Sequence, residues 1–153
     1  LLNQSGLQPD ALLLEVTEGV LMSGQQDIEK ALSQLHRTGV SLAMDDFGTG
    51  YSSLNYLRKF PFDVLKVDRS FVSDMSIDPA DAELVNASIL MAHGLGLKVV
   101  AEGVETQDQL DQLRRMQCEF AQGYLFSRPI TAEAMTQLLR DSTNSESPAD
   151  STL

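Results

Sequence analysis

The chain has 153 residues, 42% of them hydrophobic, and a formal net charge of −11. That is one domain's worth of material with enough apolar content for a sizeable core, and too little for two full domains. So acidic a chain has no attraction for a nucleic-acid polymer or an anionic membrane, and an anionic ligand would need bound cations to bridge it.

Leu1 to Leu7 read as a helix tail or linker, closed by Gly6 and the Gln8-Pro9-Asp10 turn. The apolar run Ala11 to Thr17, bounded by turn signals, predicts a buried strand ending near Glu15. A helix is expected from about Gln25 to Arg37, with Ile28, Leu32 and Leu35 on one face and Gly39 at its stop. Val40 to Met44 predicts a second buried strand. It delivers Asp45 and Asp46 into the loop Phe47-Gly48-Thr49-Gly50-Tyr51-Ser52-Ser53. Two adjacent carboxylates at a strand end repel each other, and a divalent metal ion is the obvious cation to sit between them. The plainer alternative is a solvated Asp-Asp turn.

Tyr51 to Lys59 predicts a helix cut short by Phe60-Pro61, and Asp63 to Asp68 a third strand. Lys66 lies between Leu65 and Val67 in that strand, a costly place for an ammonium unless it faces a polar centre. After a short irregular segment, Asp78 and Pro79 open a longer helix, with Leu84, Ser88, Met91 and Leu95 along one face and Gly94 or Gly96 at its end. Leu97 to Ala101 forms a fourth strand running into Glu102-Gly-Val-Glu105. Thr106 to Gln109 is a capping-box pattern, and its helix presents Leu110 and Leu113 inward. A weaker fifth strand near Glu119 to Gln122 leads into Gly123 to Pro129 and a last helix from about Thr131 to Arg140. Residues 141–153 are mostly small and polar, which predicts a disordered tail or linker.

His36 and His93 read as surface or helix-end residues rather than metal ligands, because neither ends a predicted strand. Cys118, the single cysteine, is expected to be a buried thiol in a reducing compartment. No apolar run approaches bilayer-spanning length, so the expectation is a cytoplasmic segment without direct membrane contact. Leu1 stands where a Met would open a gene product, so upstream sequence that could anchor the protein is also expected.

Alternating strands and helices, with strands apolar on both faces, predict a parallel α/β sheet or barrel. Glu15, Asp45, Lys66, Glu102 and Gln122 each fall near the C-terminal end of a different strand, the edge where such folds assemble their sites. A closed barrel would aim all five at one centre.

The runs Glu15-Val-Thr-Glu18, Asp45-Asp-Phe-Gly-Thr-Gly-Tyr-Ser-Ser-Leu54, Phe62-Asp-Val-Leu-Lys-Val-Asp-Arg-Ser-Phe71, Ala101-Glu-Gly-Val-Glu105, Ala121-Gln-Gly-Tyr124 and Phe126-Ser-Arg-Pro129 resemble the successive signatures of EAL domains. These are bacterial phosphodiesterases that hydrolyse cyclic di-GMP to linear pGpG on a TIM-like (β/α)8 barrel. The resemblance implies that residues 1–140 are the C-terminal part of such a domain, with about five of its eight strands. It implies that Glu15, Asp45 and Asp46 bind two Mg²⁺ or Mn²⁺ ions, with Asp45 bridging them. Glu102 would be a metal ligand or the general base for the attacking water, and Lys66 would orient that water. Gln122 would lie close to it, and Glu18 would hold the loop from Phe47 to Ser53. Asp68 and Glu105 are further candidates. The Glu-Ala-Leu triplet and an early-strand Asn, which complete the family's ligand set, would lie before Leu1.

The implied partners are cyclic di-GMP, a second copy of the chain through Tyr51 to Phe60, and upstream sensory or GGDEF domains. A metal-dependent phosphodiesterase is the reading the full set of acids favours, with this segment alone expected to be inactive. The alternative is a catalytically silent cyclic di-GMP binding module of the same fold.

Overall fold

In the computed structural model, which describes residues 5–22, 25–48 and 54–145, five strands form one parallel sheet whose spatial order is the chain order. They are β1 (Leu13–Thr17), β2 (Ser41–Phe47), β3 (Val64–Val67), β4 (Lys98–Glu102) and β5 (Phe120–Gln122). Among the described residues a 3-10 turn (Pro9–Ala11) and seven α-helices connect and flank them: α1 (Glu18–Met22), α2 (Gln25–His36), α3 (Leu54–Lys59), α4 (Arg69–Asp74), α5 (Pro79–Gly94), α6 (Gln107–Arg115) and α7 (Ala132–Ser145). The parallel α/β arrangement agrees with part of a TIM-like barrel.

The register sorts the side chains by face. Glu15 pairs with Ala43, Ala43 with Val64, and Val64 with Lys98. Because alternate residues share a face, Glu15, Asp45, Lys66, Glu102 and Gln122 all belong to one side of the sheet. The other side carries Leu42, Met44, Leu65, Val67, Val99 and Ala101, which pack into a core with Leu32, Val72, Val85, Ile89 and Leu113 from the helices. The apolar alternation that hides one face under helices therefore fixes where the polar residues gather.

Several expectations need correction. β2 does not stop at Met44 but carries both aspartates and Phe47. Pairing of Met44 with Leu65 and of Phe47 with Val67 leaves one extra residue on β2, a bulge, and Asp46 takes φ +56 there. The extra residue turns Phe47 onto the helix-covered face, where it packs on the core. β1 is not buried: Leu13 is 39% exposed, as suits a strand paired on one side only. The segment after β3 is helical (α4), because Asp68 caps it by accepting a hydrogen bond from Ser70 N at 2.9 Å. On α5 the buried stripe is Val85, Ile89 and Ala92, not Leu84, Ser88, Met91 and Leu95, of which Leu84 is 51% exposed. Leu35 of α2 is also exposed. α7 extends to Ser145, past the expected end at Arg140. The capping box of α6 forms as expected, with Leu113 buried beneath it.

The chain also contains an internal repeat. His36, Gly39, Leu42, Asp45 and Asp46 recur at one constant spacing as His93, Gly96, Val99, Glu102 and Gly103. With a one-residue deletion, Leu57, Asp63 and Lys66 then match Leu113, Glu119 and Gln122. The structure repeats with the sequence. Asp63 accepts from Leu42 N at 2.8 Å and meets His36 Nε2 at 3.2 Å, while Glu119 accepts from Val99 N at 2.9 Å and meets His93 Nε2 at 2.9 Å. Gly39 and Gly96 both have positive φ, as do Asp46 and Gly103. Each unit thus ties a helix end to the start of a strand and delivers a carboxylate at that strand's far end.

Candidate active site

Lys66 is the hub of the C-terminal edge. An ammonium in the middle of β3 with 4% of its surface exposed needs counter-charges, and three strands supply them. Its Nζ lies 2.8 Å from Glu15 Oε1 of β1, 2.9 Å from Asp45 Oδ1 of β2 and 2.7 Å from Glu102 Oε1 of β4. Burial alone would lower the lysine's pKa, but its contacts with Glu102, Glu15 and Asp45 outweigh it and hold the pKa above its ordinary 10.5. Lys66 is therefore a fixed cation. The buried Asp45 Oδ1 makes no directed hydrogen bond, so its contact with Lys66 is an ion pair rather than an oriented bond.

Three carboxylates around one ammonium leave two negative charges over, and Asp46 adds another beside them. The donors are all hard oxygens, and that surplus fits a divalent cation such as Mg²⁺ or Mn²⁺. Among the described residues, however, no three His, Cys, Asp or Glu side chains gather closely enough to hold a metal by themselves. Nζ of Lys66 occupies the point where the carboxylates converge.

Gln122 ends β5 directly beside Glu102 in the register. Glu102, Gln122 and Glu105 line a cavity of about 190 Å³ together with Arg69, Gly103, Gly123 and Tyr124. The guanidinium of Arg128 lies 4.5 Å from the centre of the Tyr124 ring. The structure thus brings Glu15, Asp45, Lys66 and Glu102 together and sets Gln122 and Glu105 along the same rim. Asp68 stands two residues past Lys66, just beyond the end of β3, as the N-cap of α4. Its carboxylate accepts from the Ser70 amide and hydroxyl, and although burial opposes it, these bonds hold its pKa below the usual range. Glu18 is buried at the start of α1, and its Oε1 has no hydrogen-bond partner among the described residues. Of the loop it was expected to hold, Thr49, Gly50, Tyr51, Ser52 and Ser53 lie outside the described residues, as do residues 1–4 and the tail beyond Ser145.

Sequence reasoning missed Arg69 and Tyr124 as rim residues. Arg69 directly follows Asp68, and Tyr124 stands two residues past Gln122 at the end of β5, so adjacency to a residue already singled out was the available signal. A larger open groove of about 710 Å³ lies on the outer side of α2 and is lined by no strand residue, so the chemistry is not there. His36 and His93 pair with acids at the opposite edge of the sheet, and Cys118 is partly buried with its thiol pushed up to about 11 by desolvation.

Comparison with known proteins gives this arrangement a family. Residues 1–129 match the model of the EAL domain. The chain is 54% identical over 139 residues to the cyclic di-GMP phosphodiesterase NbdA of Pseudomonas aeruginosa, covering 91% of this chain and 18% of that protein. It is 45% identical over 129 residues to the bifunctional diguanylate cyclase/cyclic di-GMP phosphodiesterase MucR of the same organism, covering 84% of this chain and 19% of that one. The solved MucR phosphodiesterase in complex with c-di-GMP superposes with a TM-score of 0.82 at 44% identity, covering 88% of this chain and 54% of that one. BlrP1 of Klebsiella pneumoniae, solved with manganese and c-di-GMP, superposes at 0.78 with 41% identity, covering 84% of this chain and 33% of that one. The chain therefore spans less than a fifth of the length of these curated relatives.

Proposed function

The chain belongs to the EAL domain family, and from that premise we propose that the protein carrying it hydrolyses cyclic di-GMP to linear pGpG with two divalent metal ions, Mg²⁺ or Mn²⁺. The observation that carries the proposal is the convergence of Glu15, Asp45 and Glu102, from three strands, on the Nζ of Lys66. Glu15, Asp45, Asp46 and Glu102 would hold the metals, with the remaining ligands contributed from before Leu1. When bound, such a pair stabilises the attacking and leaving oxygens and lowers the pKa of a shared water.

The chain's own residues do the rest. In this reading a Glu102 carboxylate oxygen accepts the proton of the attacking water. Lys66, charged at any physiological pH, donates towards that water and offsets charge developing on the phosphoryl group. Gln122 supplies an amide on the adjoining strand end to orient the same water, and Glu18 braces the loop after Asp46. Residues 1–140 form the C-terminal part of the catalytic domain and residues 141–153 lead out of it. Tyr51 to Phe60 meets a second copy, and sensory or GGDEF domains precede the segment. Among the described residues no helix is long and apolar enough to cross a membrane.

A binding module without catalysis is the second reading. The ammonium of Lys66, standing at the point where the three acids converge and offsetting one of their charges, is the observation that favours it. Glu102→Gln separates the two in the full-length protein. Turnover to pGpG, followed chromatographically with Mg²⁺ or Mn²⁺, should fall by at least ~10²-fold while cyclic di-GMP binding persists. Absence of pGpG from the unmodified protein under either metal would leave the binding module standing.

A further inference from the structure

Gln109 is a buried amide, 5% exposed, in the first turn of α6. Its Oε1 accepts from Glu105 N at 2.8 Å and from Thr106 N at 2.9 Å, closing the loop that follows Glu102. Its Nε2 donates at 3.1 Å to both Val72 O and Ser73 O in the last turn of α4. Both amide protons and the amide oxygen are therefore engaged, and two of the four carbonyls that a helix end leaves without partners are satisfied. The capping box accounts for the bond from Thr106 N. It does not account for the bond from Glu105 N or for the pair donated to Val72 and Ser73, which crosses to another helix.

What this bridge joins are the two walls of the cavity beside Glu102. One wall is the loop Glu102 to Glu105, in which Gly103 has φ +70 and lies so close to Arg69 that a Cβ would stand 2.5 Å from the arginine's own Cβ. The other is α4, whose first residue is Arg69 and which directly follows the strand carrying Lys66. The ladder between β3 and β4 sets the strands but not the rim above them. On that rim Gln109 ties α6 to the last turn of α4, while Gln112 Nε2 of α6 donates to Ser76 Oγ in the turn beyond it at 2.9 Å.

The geometry points to Gln109 as a positioning residue for the proposed phosphodiesterase, holding the Glu102–Glu105 loop against Arg69 so that the wall of the cavity keeps its working shape. The assignment rests on the reading of the site as a cyclic di-GMP phosphodiesterase. Misplacing a reacting group by about an ångström can cost about 10²-fold in rate with little change in what binds.

The experiment uses the full-length protein with two substitutions. Gln109→Met removes all four hydrogen bonds at nearly constant volume. Gln109→Glu keeps an oxygen for the Glu105 and Thr106 amides but cannot donate to Val72 and Ser73. Cyclic di-GMP binding stoichiometry by calorimetry gives the competent fraction of each preparation, and kcat is expressed per competent site. The expected result is a fall in kcat of about 10- to 100-fold for both variants, with KM within about threefold of the parent. Gln109→Glu should also keep slow hydrogen exchange at the Glu105 and Thr106 amides. Unchanged kcat per competent site in either variant overturns the positioning role while leaving the phosphodiesterase reading intact. A parent that binds cyclic di-GMP but forms no pGpG removes both.

Discussion

Three carboxylate oxygens lie within 2.9 Å of the Nζ of Lys66, and the consequences at the scale of single residues follow from charge. Replacing Lys66 by Met should destabilise the fold by about 3 kcal/mol, because removing one member of a buried ion cluster leaves the others uncompensated. Mg²⁺ or Mn²⁺ should then raise the melting temperature of Lys66→Met more than that of the parent, which scanning calorimetry would show. A lysine whose folded pKa is raised contributes stability that is fully present below its unfolded value of 10.5 and is lost only as pH rises through the higher folded value. No break from Lys66 should therefore appear in stability or activity between pH 6 and about 10. Asp46 gives a second residue-scale test. At φ +56 alanine is disfavoured and glycine is not, so Asp46→Gly should be more stable than Asp46→Ala by about 1 kcal/mol, although both remove the same carboxylate. The acids and Lys66 were legible in the sequence because a charge inside an apolar strand has few reasons to be there. The bulge that sets Asp46 was not, since nothing in two consecutive aspartates reveals an extra residue in the ladder.

At the scale of elements, legibility tracked how one-sided the apolar pattern is. The capping box before α6 and the positive-φ glycine after α2 marked those helices, and both stand where expected. On α5, Leu84, Leu90 and Leu95 are apolar yet exposed alongside the buried Val85, Ile89 and Ala92, so periodicity could not choose a face. The choice has a measurable outcome. Ile89→Ala should cost about 2–5 kcal/mol and Leu84→Ala within about 0.5 kcal/mol in denaturant unfolding. The paired clamps of the internal repeat add a pH signature. Glu119 is held below its ordinary 4.5 because hydrogen bonds from backbone amides and the neighbouring His93 outweigh desolvation. A depressed carboxyl contributes stability that is present above its unfolded value and lost as pH falls through its folded one. The acid-unfolding limb below about pH 4.5 should accordingly be shallower in Glu119→Gln than in the parent, with the parent the more stable at pH 7 and the difference shrinking as the pH falls.

For the whole molecule, β1 and β5 each pair on one side only, and Leu13 and Phe120 on the shared inner face are 39% and 49% exposed. Open edges of this kind recruit other strands. The 153 residues produced alone should therefore self-associate, visible as mass growing with concentration in light scattering, and a strictly monomeric, well-folded preparation would contradict this. The fold class was legible from alternation alone, whereas the repeat that builds both arms of the site escaped notice because its two copies share only scattered residues. One property of the sheet reaches beyond the folded state. Its spatial order is its chain order, so every strand after the first finds its neighbour already made when it leaves the ribosome. Synthesis at roughly 5–20 residues per second gives each strand–helix unit seconds to settle on the one before it. Production of the chain in the cell thus becomes a sequence of short additions, and a pause in translation leaves an edge strand waiting instead of a buried strand missing.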